Sequence, residues 1–193
     1  IDPAGNTVNS VVLGIGIAHH RRLKVSKTCG QIGGGTEGWC VVHRSEVEGA
    51  ISGKLVAWFV RRNGTLRMPV GGFQYVNVTG PTINLGNDWD VSSPTNQAGG
   101  RTFACVERRA DLLTGIGSLT GHAFDHVGNL LVSDAPLVSG NYDERMPAID
   151  SDGVRFALVY AERFSATDSD VRMITLAHLG GQLVQQDFSV VSI

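Results

Sequence analysis

The stretch Asn141–Val184, NYDERMPAIDSDGVRFALVYAERFSATDSDVRMITLAHLGGQLV, decides the fold. Its apolar residues come in short runs cut by polar turns, with no long window at helical spacing. Pro147–Ile149 reads as a strand, Ser151-Asp152 as a tight turn and Arg155–Tyr160 as a second strand. Residues 162–168 read as a loop, Val171–Ala177 as a third strand and Gly180-Gly181 as a turn, and Leu183 opens a fourth strand. The two acidic runs, 150–153 and 168–170, are then either turns of this unit or a site for a cation or a reaction.

The unit recurs along the chain. Trp39-Cys-Val-Val-His43, Phe103-Ala-Cys-Val-Glu107 and Phe156-Ala-Leu-Val-Tyr160 share an aromatic followed by small and branched apolar residues. A turn glycine follows each of them (Gly64, Gly128 and Gly181), and the separation is 25 residues every time. From turn glycine to the next aromatic, starting at Gly5, the spacing is instead 34, 39 and 28. A fixed half of this kind predicts two strands paired as a hairpin, because a one-residue slip would turn the core face outward. The elastic half holds loops, where insertions are tolerated. The expected organisation is a single all-β domain over 1–193 with units near 6–64, 65–128 and 129–181, and 182–193 as a closing strand.

Composition agrees with an all-β chain and excludes several classes. The chain has 193 residues, 25 glycines, 42% hydrophobic residues and only 18% charged ones, so it has the means for a core and no mark of disorder. A net charge of −2 with no basic stripe argues against a nucleic-acid partner. The longest apolar run, Val11–Ala18, is broken by Gly14 and Gly16, so membrane insertion is not expected. Ile1 is not an initiator residue, so the chain is expected to be a piece of a longer protein.

The run from Glu144 to Val184 resembles the blade repeat of large secreted and surface-attached bacterial β-propeller proteins. The shared features are Pro147-Ala-Ile149, the Asp152-Gly153 turn, an aromatic-led strand ending in Val159-Tyr160, an acidic loop and the Gly180-Gly181 turn. The likeness is good over 146–184, partial over 103–131, weaker over 29–66 and absent over 67–92. It implies a propeller-like fold of about three to three and a half blades, in a secreted or cell-surface protein. Since propellers close with four or more blades, it also implies that another copy or a complementary fragment completes the ring. A blade motif specifies no chemistry.

The candidate chemical residues are few. Asp150 and Asp152 alternate before Gly153 as in a calcium loop, so calcium is the one cofactor the chain suggests. The same slot holds 33–36 and 97–100 in the other units, without carboxylates, so the leading reading is a hairpin turn. His122 and His126 fall at a strand end, too far apart for one zinc ion. His43 shares a slot with Glu107 and Tyr160, which reads as variable and exposed. Cys40 and Cys105 read as small core residues. A two-residue turn at Gly34-Gly35 would set Cys29 across from Cys40, where a disulfide would form in an oxidising compartment.

No nucleophile is marked, so the expected function is a non-catalytic scaffold or recognition module. Its contact surface is expected in the loops near Gly49-Ala50, 112–117 and 165–170, at one end of the blades. The alternative is glycan binding, with Trp89 between Asp88 and Asp90 as the nominated ligand contact; the competing reading buries Trp89 in a local core. A propeller glycoside hydrolase would need two carboxylates facing each other across a central funnel, and no such pair is marked.

Overall fold

The computed structural model describes residues 18–28, 30–32, 36–47, 53–67, 74–77, 83–96, 101–111, 113–126 and 128–191. All elements there are strands. β1 (Ala18–Val25), β2 (Gly30–Ile32), β3 (Thr36–Val47), β4 (Gly53–Arg61), β5 (Leu66–Arg67) and β6 (Gln74–Asn77) form the first sheet. Its order is β1-β3-β4-β5; β2 continues the β1 edge along β3, and β6 continues the β5 edge along β4. The second sheet is a meander of β7 (Ile83–Val91), β8 (Thr102–Asp111), β9 (Gly117–Asp125) and β10 (Leu130–Val138). The third is a meander of β11 (Asp143–Ser151), β12 (Phe156–Arg163), β13 (Ser169–Leu179) and β14 (Gln182–Val191). Each is antiparallel, and together they make three consecutive propeller-like blades. Ring closure is not seen among the described residues.

The 25-residue spacing has a direct structural cause. It spans the second and third strands of each sheet and the turn beyond them. Trp39 pairs with Val60, Phe103 with Phe124 and Phe156 with Leu176, so the central hairpin has almost the same register in all three sheets. Gly64, Gly128 and Gly181 all sit at positive φ (79°, 90° and 78°), a conformation that side chains with a Cβ resist. Residues 67–92, which matched no repeat, contribute β6 and β7.

The blades radiate from a common seam. The first strands β1, β7 and β11 neighbour one another, and so do the last strands β6, β10 and β14. The second sheet is covered on both sides, which is why β8 is buried at six successive positions, 102–107, rather than alternating. Phe103 and Cys105 join Phe59, Val42, Leu55 and Trp89 in one core cluster with the first sheet. Ala104, Val106 and Leu119 join Ile149, Phe156, Leu158, Ile174 and Leu176 in another with the third. Phe59 stands edge-on to both Phe103 and Phe124, with centroids 5.9 and 6.1 Å away.

Two sequence expectations are corrected. Ile32 pairs with Thr36, so three residues, not two, separate the strands of the first hairpin, and Gly30 faces Gly38. The place opposite Cys40 belongs to Ser26, whose N–H donates to Cys40 O at 2.9 Å and whose Oγ accepts from Cys40 N at 3.2 Å. Cys29 lies outside the described residues, and Cys40 is a buried free thiol. The expected Cys29–Cys40 disulfide therefore loses its geometric premise. The second correction concerns the slot of His43, Glu107 and Tyr160. All three are buried, because the slot lies on a sheet face rather than at a solvent edge.

Cys40 and Cys105 occupy the same core cluster, and burial pushes both thiols well up from the ordinary range, with nearby Glu107 adding to the effect on Cys105. A thiol that cannot ionise does not attack a disulfide. Both are expected to stay unreactive toward Ellman's reagent in the native protein and to react once guanidinium unfolds it. Rapid native labelling of either thiol would contradict this packing.

Candidate functional site

Three polar centres stand out among the described residues. The first is the seam itself. β11 pairs only with β12, so its other edge presents unpaired backbone groups. Ile149 N–H donates to Asp90 Oδ2 at 3.0 Å, and Ile149 O accepts from Lys27 Nζ at 2.6 Å. Lys27 Nζ also lies 3.1 Å from Asp90 Oδ2, and Lys24 Nζ 3.8 Å from Asp90 Oδ1. One residue of the third sheet is thus held by a carboxylate from the second and an ammonium from the loop after β1. Asp150 adds a further stitch, its Oδ1 accepting from Ser93 N and Ser151 N at 2.9 Å each. Burial alone would raise the Asp150 carboxyl, but these hydrogen bonds outweigh it and hold the group below its ordinary value.

A cleft of about 490 Å³ opens beside this node, lined by Arg22, Leu23, Lys24, Asp88, Trp89, Met146 and Pro147. Each first strand is irregular there, with register shifts at Arg21/Lys24, Leu85/Trp89 and Arg145/Ala148. Arg22 and Met146 hold positive φ of 50° and 48°. The structure therefore brings Asp88, Trp89, Asp90 and Asp150 to one seam, with Asp88 and Trp89 both lining the cleft. Asp88 is on the rim, while Trp89 is 2% exposed and packs between the first two sheets. Asp90 is consumed by Lys27 and Ile149. Asp152 stands apart and exposed, its Oδ1 accepting from Val154 N and Arg155 N at 2.7 Å. Asp150 and Asp152 thus each accept from backbone N–H groups.

The second centre was invisible in the sequence. Glu107 and His122 are buried on neighbouring strands, and Asp134 follows on β10. These three are the only group of His, Cys, Asp and Glu among the described residues close enough to share a metal ion. Their hydrogen bonds point elsewhere. Asp134 N–H donates to His122 Nδ1 at 3.2 Å, which leaves the ring proton on Nε2 to donate to Glu107 Oε1 at 3.0 Å. A metal on Nε2 would force that proton onto Nδ1, against the Asp134 N–H. The Arg109 guanidinium already bridges Glu107 and Asp134. The cluster is an internal ion network that locks β8, β9 and β10.

The third centre lies at the opposite end of the sheets from the turn glycines Gly64, Gly128 and Gly181. Asp143, at the start of β11, accepts from Arg108, from Arg145 and from Gly117 N at 3.0 Å. A Cβ at Gly117 would collide with the Arg108 guanidinium, so the glycine makes room for it. Burial would raise the Asp143 carboxyl; the hydrogen bonds from Arg108 and Arg145 overrule it and hold it low. These contacts tie the loop after β8 to the start of the third blade. Beside them an open cleft of about 280 Å³ is lined by Ile116, Asn141, Tyr142, Asp143, Arg163, Phe164, Ser165 and Ala166. Two of the loops expected as a contact surface, 113–117 and 165–170, meet here. Leu112 and Gly49-Ala50 lie outside the described residues.

Behind this cleft Glu144 is fully buried, and neither carboxyl oxygen has a hydrogen-bond partner among the described residues. Burial, opposed by its own backbone N–H and by Arg108 and helped by the Glu162 and Asp143 charges, pushes it up to about 7. Its cross-strand neighbour Glu162 is ion-paired with Arg172, outside hydrogen-bond geometry. The two carboxylates are thus cross-strand neighbours on the third sheet. A folded pKa raised above the unfolded value favours the fold at pH below about 4.5, and that contribution is lost as pH rises through about 7. Glu144→Gln is expected to raise the thermal midpoint at pH 8 by about 2–4 °C and to flatten its decline between pH 5 and 8. A midpoint that falls equally in variant and parent over that range would contradict it.

No family model matches the chain, and neither a curated protein nor a solved structure matches it.

Proposed function

We propose that the chain is a non-catalytic recognition module of a secreted or surface-attached protein, presenting one end of its blades to a partner. The observation that carries this reading is the convergence of loop 113–117, the start of β11 and loop 165–170 on one open cleft, pinned at Asp143. Function tends to sit on loops held by a rigid scaffold, and a sheet end with cross-tied loops is such a scaffold. The blade-repeat resemblance supports the surface-attached setting. The Lys27–Asp90 pair is spent on joining blades and the Glu107 cluster on locking the strands of one, which favours recognition over chemistry.

The test is an array of polysaccharides, glycosaminoglycans and matrix proteins probed with the labelled chain. At least one component is expected to bind, and Tyr142→Ala combined with Arg163→Ala is expected to weaken it at least tenfold. Gln182→Ala at the far end is expected to leave it unchanged. Loss of binding through the far end alone, or breakdown of an arrayed polysaccharide, would overturn the proposal.

A further inference from the structure

We infer that the loop-end cleft takes a saccharide, held on the Tyr142–Phe164 aromatic pair; this rests on the recognition reading above. The two rings meet edge to face with centroids 4.7 Å apart. Tyr142 is 46% exposed, whereas the large aromatics of the core clusters are buried. The wall is held in place from behind. The Arg172 guanidinium lies 5.8 Å from the Phe164 centroid and 5.4 Å from that of Phe188, and it is ion-paired with Glu162. A preset aromatic wall of this kind orders little on binding.

The polar groups around the wall select the ligand class. The Asp143 carboxylate is saturated by Arg108, Arg145 and Gly117 N. Arg163 spends Nε on Ser165 O at 2.7 Å and Nη2 on Ala166 O at 3.5 Å. What stays open is the rest of the Arg163 guanidinium, the exposed Asn141 amide and the Tyr142 hydroxyl; neither of the last two makes a side-chain hydrogen bond among the described residues. A cationic ligand would find its carboxylate engaged, while the Arg163 donors that remain can serve a sugar hydroxyl. A sugar ring offers what the cleft can use. Its C–H face lies on an aromatic surface, and its hydroxyls both donate to and accept from neutral amide and phenol groups. The volume, about 280 Å³, sits at the small end of ligand pockets and suits one or two rings.

The experiment is an NMR titration of the ¹⁵N-labelled chain with cello-, malto- and chito-oligosaccharides, one at a time. At least one is expected to shift the amides of Asn141–Asp143 and Arg163–Ala166 in a saturable way. Tyr142→Ala is expected to weaken that ligand at least tenfold and Tyr142→Phe, which keeps the ring, about threefold. Absence of shifts in this cleft with every oligosaccharide, or shifts confined to another face, overturns the inference. If the array still shows a matrix protein bound through the loop end, the recognition reading stands with a protein as its partner. If nothing engages the loop end in either experiment, both fall.

Discussion

Phe59→Ala is expected to destabilise the protein by about 3–5 kcal/mol, a loss at the upper end for truncating one buried side chain. Phe59 is fully buried on the first sheet, and its ring stands between Phe103 and Phe124 of the second. Removing it deletes the apolar surface it buries and two edge-to-face ring contacts. Strands on both sides restrain the walls, so the cavity collapses only in part. In urea the unfolding midpoint is expected to fall with little change in slope, because the same surface is exposed on unfolding. A loss under about 1.5 kcal/mol would mean that the first two sheets do not share this core.

Asp90→Ala is expected to cost about 2–3 kcal/mol and to lower the thermal midpoint by about 5–10 °C. The carboxylate is 7% exposed and faces both Lys27 and the Ile149 N–H. Its removal strands a backbone donor in the seam, the larger part of the loss, and leaves the half-exposed Lys27 ammonium without its carboxylate. Lys27→Met tests the other half. Its ammonium is half exposed, so a smaller loss is expected, about 1 kcal/mol. Equal and negligible losses in both variants would show that the seam is not held at this point.

The parts of the fold that are legible in the sequence are those set by local geometry. The turn glycines have to sit at positive φ, and the hairpin between Phe103 and Gly128 has to keep register, so spacing alone reveals them. The last blade is readable almost strand for strand, since β12 alternates Phe156, Leu158 and Tyr160 inward with Ala157 and Val159 outward. The illegible parts depend on what faces what between sheets. His43 and Glu107 resemble surface polar residues in the sequence, because a period of two says which face a side chain takes but not whether another blade covers it. Trp89 resembles a ligand contact because carboxylates flank it in sequence; in the fold the ring packs into the core, Asp90 is taken up in the seam and Asp88 stays on the cleft rim. In the β2–β3 hairpin a turn longer by one residue is enough to remove Cys29 from its expected place across from Cys40. At the loop-end cleft the loops can be read from the sequence but the aromatic wall cannot. Tyr142 and Phe164 lie 22 residues apart at opposite ends of a hairpin, and only the β11–β12 pairing brings them together. The one signal for it is an aromatic beside each end of that hairpin.

The central claim is that three blades meet along their first strands and that Asp90 closes the exposed edge of β11. Hydrogen exchange of the Ile149 amide tests it most directly. This N–H has no strand partner on its side of the sheet, and its acceptor is the Asp90 carboxylate at 3.0 Å. The amide is expected to exchange only with global unfolding in the parent protein, at the rate of Leu158 and Ile174 inside the same sheet; in Asp90→Ala the global loss speeds all three, and Ile149 is expected to exchange at least about a hundredfold faster than the other two, through local opening. An Ile149 amide that exchanges quickly in the parent, or at the same slow rate in both proteins, would contradict the arrangement.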